Sequence, residues 1–301
     1  MADTGHKTTA ELRELLRNGQ TAEEKSLAEK GQLCARERMR LLFDEGTFVE
    51  VGAYIGRKRT ELDRDADDSF EPVITGDGAV NGALVYAFSQ DFSRLHGALG
   101  EMHAKKITKI IEMAAFSHAP LIGVFDSAGA KILEGVDALA GYGSIMRAVS
   151  GAFELPKVAV VSGICGGASA VIAEMFDIVI AAEKTGKLFT SPSGGTADGV
   201  TAAPALVDIV CEDDAAAVGK ARALVAYFDG ISETADDINR VVEIDGILAS
   251  RDYDIHEVIS TVFDAGTFTE LGAGHADSMV TGLAAIGGRT VGVIANNPAV
   301  K

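Results

Sequence analysis

The chain has 301 residues, of which 44 are Asp or Glu and 27 are Lys or Arg, so its formal net charge is −17. This acidic balance argues against a nucleic-acid partner and an anionic membrane surface, since both attract basic patches. The three cysteines form no CxxC pair, which argues against a metal ribbon or a disulfide framework and favours a cytoplasmic protein.

The first 42 residues predict an N-terminal helical arm. Leucines recur at helical spacing amid dense charge, at Leu12, Leu15 and Leu16 and again up to Leu42. No apolar core follows a basic start, so we expect no signal peptide. The charged segment RKRTELDRDADDSFEP at 57–72 cannot bury much surface and predicts an exposed loop.

From Ala83 onward, apolar runs typical of buried strands alternate with helical patterns. This alternation implies right-handed crossovers and predicts an α/β fold with a largely parallel sheet. The predicted strands are 83–89, 120–126, 157–162 and 176–182, and the predicted helices are 100–117, 132–149, 168–175 and 213–227.

Two glycine-rich turns, DSAGAKILEG at 126–135 and GICGGASAVIAEM at 163–175, each follow a predicted strand and lead into a predicted helix. Such a turn leaves main-chain N–H groups unpaired, and their partial positive charge can hold a developing oxyanion. Two turns from adjacent parallel strands could aim two donors at one oxygen, as the enolate of a thioester requires. The alternative interpretation is structural, because small residues also let a helix pack closely on a sheet.

The chain contains an internal repeat. FDAGTFTELG at 263–272 matches FDEGTFVEVG at 43–52 in seven of ten positions, and IGGRTVGVIAN at 286–296 echoes VNGALVYAFSQ at 80–90. The acidic, weakly periodic stretch before the second copy predicts a linker. The first copy continues for about 140 residues beyond Gly82, whereas the second stops 13 residues beyond Gly288. We therefore expect an incomplete second copy, whose strands need covering by another chain, a swapped segment or the first unit.

Three motifs in register carry a family resemblance: SQDFSRLHGALGEMHAKKI at 89–107, DSAGAKILEG and GICGGASA. Together they resemble the carboxyltransferase subunits of biotin-dependent acyl-CoA carboxylases and of sodium-pumping acyl-CoA decarboxylases. The resemblance implies crotonase-like domains of the ClpP/crotonase ββα superhelix type. Its implied division is a helical arm at 1–42, an acyl-CoA-binding domain at 43–230, a linker at 231–254, and the start of a truncated second domain at 255–301.

The resemblance also implies the activity and the partners. The reaction would move a carboxyl group between carboxybiotin, borne by a biotin carboxyl carrier protein, and a coenzyme A thioester, in either direction. In this family each active site lies between the first domain of one subunit and the second domain of a neighbour. We therefore expect a homo- or hetero-oligomer, with another chain supplying the missing half of the second domain.

Site residues follow from the same resemblance. Gly129 and Ala130 match the loop that shapes the thioester site, while Gly166, Gly167 and Ala168 match the segment whose amides form the enolate oxyanion hole. No side-chain nucleophile is required, because biotin takes the substrate proton in this family. We expect the coenzyme A phosphates to meet basic side chains near the first loop, although a solvated helix face explains these nearly as well. These basic residues are Lys105, Lys106, Lys109, Lys131 and Arg147.

Four alternatives remain open from the sequence. Glu134 could serve as the acid–base residue of a crotonase-like enoyl-CoA hydratase or isomerase. Cys165, in a GxCxG turn, could be a nucleophile, although a small buried residue is the simpler interpretation. His96 and His103 could be acid–base residues, but single histidines near a glycine turn are more often structural. A chain with half of a two-domain site could also be a non-catalytic scaffold or a partial subunit.

Overall fold

The computed structural model describes residues 22–61, 70–191, 205–228 and 236–300, together with residues 8, 10 and 11. Three leucines of the predicted arm, Leu12, Leu15 and Leu16, lie outside these residues, as do positions 62–69 of the charged segment and 231–235 of the linker. Within the described part of the chain, no helix is both long enough and apolar enough to cross a membrane.

Helices and strands alternate through the middle of the chain. The helices discussed below are α1 (Ala22–Glu29), α2 (Ala35–Leu42), α3 (Glu101–Ser117), α4 (Val136–Gly151), α5 (Ala168–Ala173), α6 (Asp214–Phe228), α7 (Asp245–Leu248) and α8 (Ile255–Val262). The strands are β1 (Val49–Glu50), β2 (Val73–Val80), β3 (Ala83–Gln90), β4 (Leu121–Ser127), β5 (Lys157–Gly166), β6 (Ile178–Ala182), β7 (Lys187–Phe189), β8 (Ile209–Cys211), β9 (Thr269–Leu271), β10 (Met279–Ile286) and β11 (Arg289–Asn296).

The described residues form one large sheet and one small one. The large sheet has the order β1-β2-β3-β4-β5-β6-β8, with β7 paired to β5. Its pairs are antiparallel from β1 to β3 and parallel from β3 to β8. This is the largely parallel α/β sheet that the strand–helix alternation predicts. Every residue of β4 is buried, as expected of a parallel strand covered on both faces.

Two apolar clusters cover the two faces of the large sheet. On one face α3, α4 and α5 pack their apolar stripes, which include Ile107, Ile110 and Ile145. On the other face α2 and α6 contribute Met39 and Leu224 among others. Burial of these side chains supplies the main driving force for folding, at roughly 1.5–3 kcal/mol for each large aliphatic residue.

The small sheet, β11-β10-β9, repeats the first elements of the large one. Asp44 accepts the main-chain N–H groups of the β2–β3 hairpin, and Asp264 accepts those of the β10–β11 hairpin in the same way. Thr47 and Thr267 likewise accept an N–H of β2 and β10 through their hydroxyls. The internal repeat is therefore a repeat of structure, made by the same side chains.

The structure differs from the predicted elements in several places, and one of them is β2, which precedes the first predicted strand. The predicted helix at 132–149 is broken at Gly135, whose φ of 56° separates a short 3-10 turn from α4. The short strands β7 and β8 were not predicted, because three residues carry too little periodicity. The helix α7 lies inside the predicted linker.

Candidate active site

The two glycine loops lie side by side, because they follow the adjacent parallel strands β4 and β5. The strand ladder pairs Phe125 with Val161 and resumes at Ser127 with Cys165, so β5 carries two more residues than β4 at this point. The side chain of Asp126 compensates for this bulge, since its Oδ1 accepts the main-chain N–H of Ile164 at 3.3 Å. The bulge thus joins the two loops directly.

In the first loop, the amides on either side of Ala130 are hydrogen-bonded. Gly129 has a φ of 114° and donates its N–H to the hydroxyl of Ser127 at 3.1 Å. Leu99 binds the loop like a neighbouring strand, donating to the Gly129 carbonyl and accepting from the Lys131 N–H, both at 2.9 Å. Between these bonds the N–H of Ala130 has no acceptor among the described residues.

The second loop is arranged in a similar way. Gly167 has a φ of 58°, and its N–H donates to the carbonyl of Phe189 at 2.9 Å. A Cβ on Gly166 would lie 2.6 Å from the Phe189 ring, so only glycine permits this approach. The next amide, that of Ala168, is the first of α5 and lacks an intrahelical acceptor. Of the predicted residues, Ala130 and Ala168 therefore carry amides without a partner in the described structure.

The described residues leave room for a side chain at Gly129 and at Gly167. A Cβ built on Gly129 or on Gly167 would meet no atom of the described residues within 4 Å. A third segment borders the first loop, because Ala128 donates its N–H to the carbonyl of His96 at 2.9 Å. Gly97 lies so close to the main chain of Asp126 that a side chain there would overlap it.

Glu134 is held by two partners beneath the first loop. One carboxylate oxygen lies 2.6 Å from the amine of Lys131, and the other accepts the main-chain N–H of Glu101 at 2.6 Å, at the start of α3. Both Lys131 and Glu134 are buried. A carboxylate that caps a helix and pairs with a lysine is occupied structurally, so the geometry does not favour the hydratase alternative.

A groove of about 440 Å³ runs between α3 and α4 beside the first loop. It collects three of the predicted phosphate-binding residues, Lys105, Lys109 and Arg147, although acidic side chains also line it. Lys105 binds Glu101 at 2.7 Å, whereas Lys109 and Arg147 have no ion-pair partner among the described residues. The groove is lined by as many basic as acidic side chains, the acidic ones being Glu101, Glu112 and Asp137.

Lys106 and Lys131 lie elsewhere, which corrects the prediction that groups them with the others. Lys106 points to the opposite side of α3, is 4% exposed, and donates to the carbonyl of Val73. Burial lowers its pKa to about 8. Lys131 is turned inward to Glu134 and is 7% exposed. Neither amine reaches the groove surface.

Burial separates the candidate acid–base and nucleophilic side chains, since Cys165 and His103 are enclosed whereas His96 is exposed. Cys165 is fully buried, and burial raises the pKa of its thiol, so a thiolate is disfavoured. His103 is also fully buried, and burial lowers its pKa to about 3. His96 contributes its main-chain carbonyl to the first loop. The simpler interpretation of Cys165, as a small buried residue, is confirmed.

One residue of this region was missed by the sequence analysis. Glu71, just before β2, is 3% exposed, and burial raises its pKa to about 7 while the nearby amine of Lys131 opposes the shift. No residue pattern marks it, because its surroundings come from distant parts of the chain. The described residues contain no cluster of His, Cys, Asp and Glu that could hold a metal ion.

The chain is similar to several known proteins in sequence. A family model described as "Carboxyl transferase domain" matches residues 27–301. The alpha subunit of methylmalonyl-CoA decarboxylase from Propionigenium modestum is 36% identical over 300 residues, which are 90% of this chain and 58% of that protein. The propionyl-CoA carboxylase beta chain from Roseobacter denitrificans is 34% identical, over 90% of this chain and 59% of that one.

A solved structure is similar over nearly the whole chain. The transcarboxylase 12S subunit, crystallised as a hexamer with hydrolysed methylmalonyl-coenzyme A, superimposes with a TM-score of 0.90 at 29% identity. The superposition covers 97% of this chain and 62% of that one. The chain thus spans about three fifths of the length of the relatives that it matches.

Proposed function

Because the chain belongs to the carboxyl transferase domain family, we propose that it is the acyl-CoA half of a biotin-dependent carboxyltransferase. The observation that carries this proposal is the pair of glycine loops on adjacent strands, with the unpaired amides of Ala130 and Ala168 beside open space. In this proposal residues 43–230 bind the thioester and residues 255–301 begin the second domain. The relatives support carboxylation and decarboxylation equally.

The loops would act on the thioester carbonyl. Loss of the carbon-bound proton or carboxyl group next to a thioester places negative charge on the carbonyl oxygen. The amides of Ala130 and Ala168 would donate to that oxygen, and one such preorganised donor is worth roughly 3–4 kcal/mol of barrier. Gly129, Gly166 and Gly167 would hold these amides in place through their bonds and close contacts. Carboxybiotin on a carrier protein would supply or accept the carboxyl group.

Coenzyme A would lie along α3 and α4. The groove that contains Lys109 and Arg147 starts beside Glu101, whose main-chain N–H binds Glu134 at the end of the first loop. An acidic protein needs a local positive field to hold a polyanion, and these two side chains offer one without an ion-pair partner among the described residues. Lys105 contributes less charge, because Glu101 lies 2.7 Å from its amine.

An exposed apolar face suits the expected neighbouring domain. Next to the first loop, Ile132, Val136 and Leu139 are 87%, 75% and 63% exposed, and Val136 and Leu139, three residues apart, lie on the same side of α4. We assign this face to contact with the second domain of a neighbouring subunit, as in the family arrangement. The free, unpaired cysteines among the described residues fit a reaction in the cytoplasm.

Calorimetry with the isolated chain tests the proposal. We expect saturable binding of acetyl-, propionyl- or methylmalonyl-CoA, with little carboxyl transfer until the missing half of the second domain is added. The absence of binding for all three esters at about millimolar concentration would overturn the proposal, since this corresponds to a weak ~4 kcal/mol interaction. If binding occurred and the added half restored hydration instead of transfer, the hydratase alternative would replace it.

A further inference from the structure

Arg38 is a fully buried arginine in α2, a helix that precedes the large sheet in the chain. Its side chain is 1% exposed and makes three bonds to distant segments. Nη2 donates to Asp126 Oδ2 at 2.8 Å, Nε donates to Asp214 Oδ2 at 2.9 Å, and Nη1 donates to the carbonyl of Gln90 at 3.3 Å. One guanidinium thus joins the ends of β3 and β4 to the start of α6.

Asp126 passes this connection on to both glycine loops. It is the first residue of the DSAGAKILEG motif, and its Oδ1 accepts the N–H of Ile164 in the GICGG motif. Its own N–H donates to the side chain of Gln90 at 3.0 Å, and Gln32 donates to its Oδ2 at 2.7 Å. A side chain at Gly163 would overlap the Asp126 carboxylate, so the second loop is built around it.

The repeated unit does not itself require this arginine. In the second copy, Val258 of α8 stands five residues before Phe263, as Arg38 stands five residues before Phe43. Helix α8 nevertheless leads into the same turn, in which Asp264 binds its hairpin as Asp44 does. The role of Arg38 therefore concerns a feature that only the first copy has, namely the two loops at the ends of β4 and β5.

Because Arg38 is buried, its positive charge has to lie close to the carboxylates that balance it. Two carboxylates, Asp126 and Asp214, lie in a region closed to water, and Arg38 is the cation that contacts both. The planar guanidinium can bind two acids at once through fixed donors, which the single ammonium of lysine cannot do with the same geometry. Loss of the arginine would leave two like charges next to the bulge that links the loops.

We propose that Arg38 is a positioning residue, which holds the Asp126 carboxylate so that the amides of Ala130 and Ala168 face the same thioester oxygen. The part of this inference that concerns the thioester oxygen rests on the proposed function. The part that concerns the order of the two loops does not depend on it. The arginine itself touches no substrate.

The test compares the wild-type chain with Arg38→Met and Arg38→Lys. Hydrogen exchange followed by mass spectrometry would be measured over 126–131 and 163–168, with the hairpin at 279–296 as an internal reference. In Arg38→Met we expect exchange in both loops to be about tenfold faster or more, with the reference unchanged. Arg38→Lys should fall between the two. Arg222→Met is the matched control, since Arg222 binds the Leu42 carbonyl and Asp44 at the hairpin end of the sheet.

A binding measurement separates positioning from general stability. Wild type should bind propionyl-CoA more tightly than free coenzyme A, and Arg38→Met should lose about tenfold in propionyl-CoA affinity, the size expected for one charged or polarised hydrogen bond. Affinity for free coenzyme A should stay unchanged, because the groove residues do not contact Arg38. Arg222→Met should keep both affinities.

Three results would overturn the inference: unchanged exchange in both loops, equally faster exchange everywhere, or an unchanged preference for propionyl-CoA. If Arg38→Met does not fold, the triple variant Arg38→Met, Asp126→Asn, Asp214→Asn removes the unpaired charges and takes its place under the same criteria. If the wild type binds none of acetyl-, propionyl- and methylmalonyl-CoA, the proposed function fails, and the exchange data alone then decide whether Arg38 orders the loops.

Discussion

The amine of Lys131 lies 2.6 Å from the carboxylate of Glu134, and the pair is buried beneath the first glycine loop. Because Glu134 also caps α3 at Glu101, this contact connects the loop to the helix that borders the candidate coenzyme A groove. The loop therefore lies on this ion pair. The sequence analysis treated its two members separately, with Lys131 as a phosphate-binding residue and Glu134 as an alternative acid–base residue.

Glu134→Gln keeps an acceptor for the Glu101 N–H but leaves Lys131 without its partner. We expect the free energy of unfolding to fall by about 3 kcal/mol, since breaking a buried pair on one side leaves an uncompensated charge. Urea denaturation would measure the change. The exposed Glu154→Gln is the control and should change stability by less than about 0.5 kcal/mol. An equal effect in the two variants would show that the pair has no structural role.

The groove predicts a specific response to charge removal. Lys109→Ala and Arg147→Ala should each weaken coenzyme A binding by about tenfold, and the loss should shrink at high salt. Lys184→Ala is the control, because this exposed lysine pairs with Glu212 and does not line the groove. Calorimetry with coenzyme A and with dephospho-coenzyme A would identify the phosphate involved. Equal affinities for all variants would place coenzyme A elsewhere.

The second loop depends on the backbone conformation of Gly167, with φ 58° and ψ −122°. An L-residue rarely adopts this region, so Gly167→Ala should cost about 1–3 kcal/mol in unfolding free energy and weaken propionyl-CoA binding. The matched control is Gly143→Ala in α4, where a Cβ has open space and helix propensity favours alanine by about 0.5–1 kcal/mol. We expect Gly167→Ala to lower the free energy of unfolding and Gly143→Ala to raise it. If both variants were more stable than the wild type, the conformational argument would be contradicted.

Alkylation distinguishes a buried cysteine from a nucleophile. Burial raises the pKa of all three thiols, that of Cys34 to about 11, but only Cys165 is fully enclosed. Iodoacetamide should label Cys165 far more slowly than Cys34 or Cys211 in the folded protein, and at a similar rate in urea. Mass spectrometry after timed quenching gives the rates. Rapid labelling of native Cys165 would revive the cysteine-nucleophile alternative.

His256 predicts how stability depends on pH. Its imidazole is hydrogen-bonded to Asp254 at 2.6 Å and to Glu270 at 2.9 Å, and these bonds raise its pKa. Because the pKa of His256 is higher in the folded than in the unfolded protein, its protonated form stabilises the fold. This stabilisation is complete at pH values below the unfolded-state pKa and is lost as the pH rises through the folded-state pKa. The difference in urea midpoint between wild type and His256→Asn should therefore shrink from about pH 5 to about pH 9. A difference that grew over this range would contradict the assignment.

Much of the fold can be predicted from local sequence. The strands β4 and β5 are continuous apolar runs because helices cover both faces of the sheet, and α3 shows its buried stripe at helical spacing. The same spacing could have placed Lys106 correctly, since it lies four residues before the buried Ile110 on that stripe. The prediction grouped Lys106 with the phosphate-binding residues because it relied on residue type alone.

The rest of the site depends on contacts between distant residues. Arg38 is separated by 88 residues from Asp126 and by 176 from Asp214, so no local pattern distinguishes it from the solvated arginines of the same helix. The sequence also could not show which loop amides lack a hydrogen-bond acceptor. This depends on the carbonyl of Phe189 and the hydroxyl of Ser127, which occupy the N–H groups of Gly167 and Gly129.

The bulge between β4 and β5 has a consequence for sequence variation in this region. Between the pairs Phe125–Val161 and Ser127–Cys165, one strand advances by two residues and the other by four. The difference is an even number, so side chains keep their alternation and Cys165 points into the same apolar cluster as Val161. Insertion or deletion of a single residue at 162–164 would reverse this parity. It would turn Cys165 out of the core and present the glycine pair to the wrong face of the sheet.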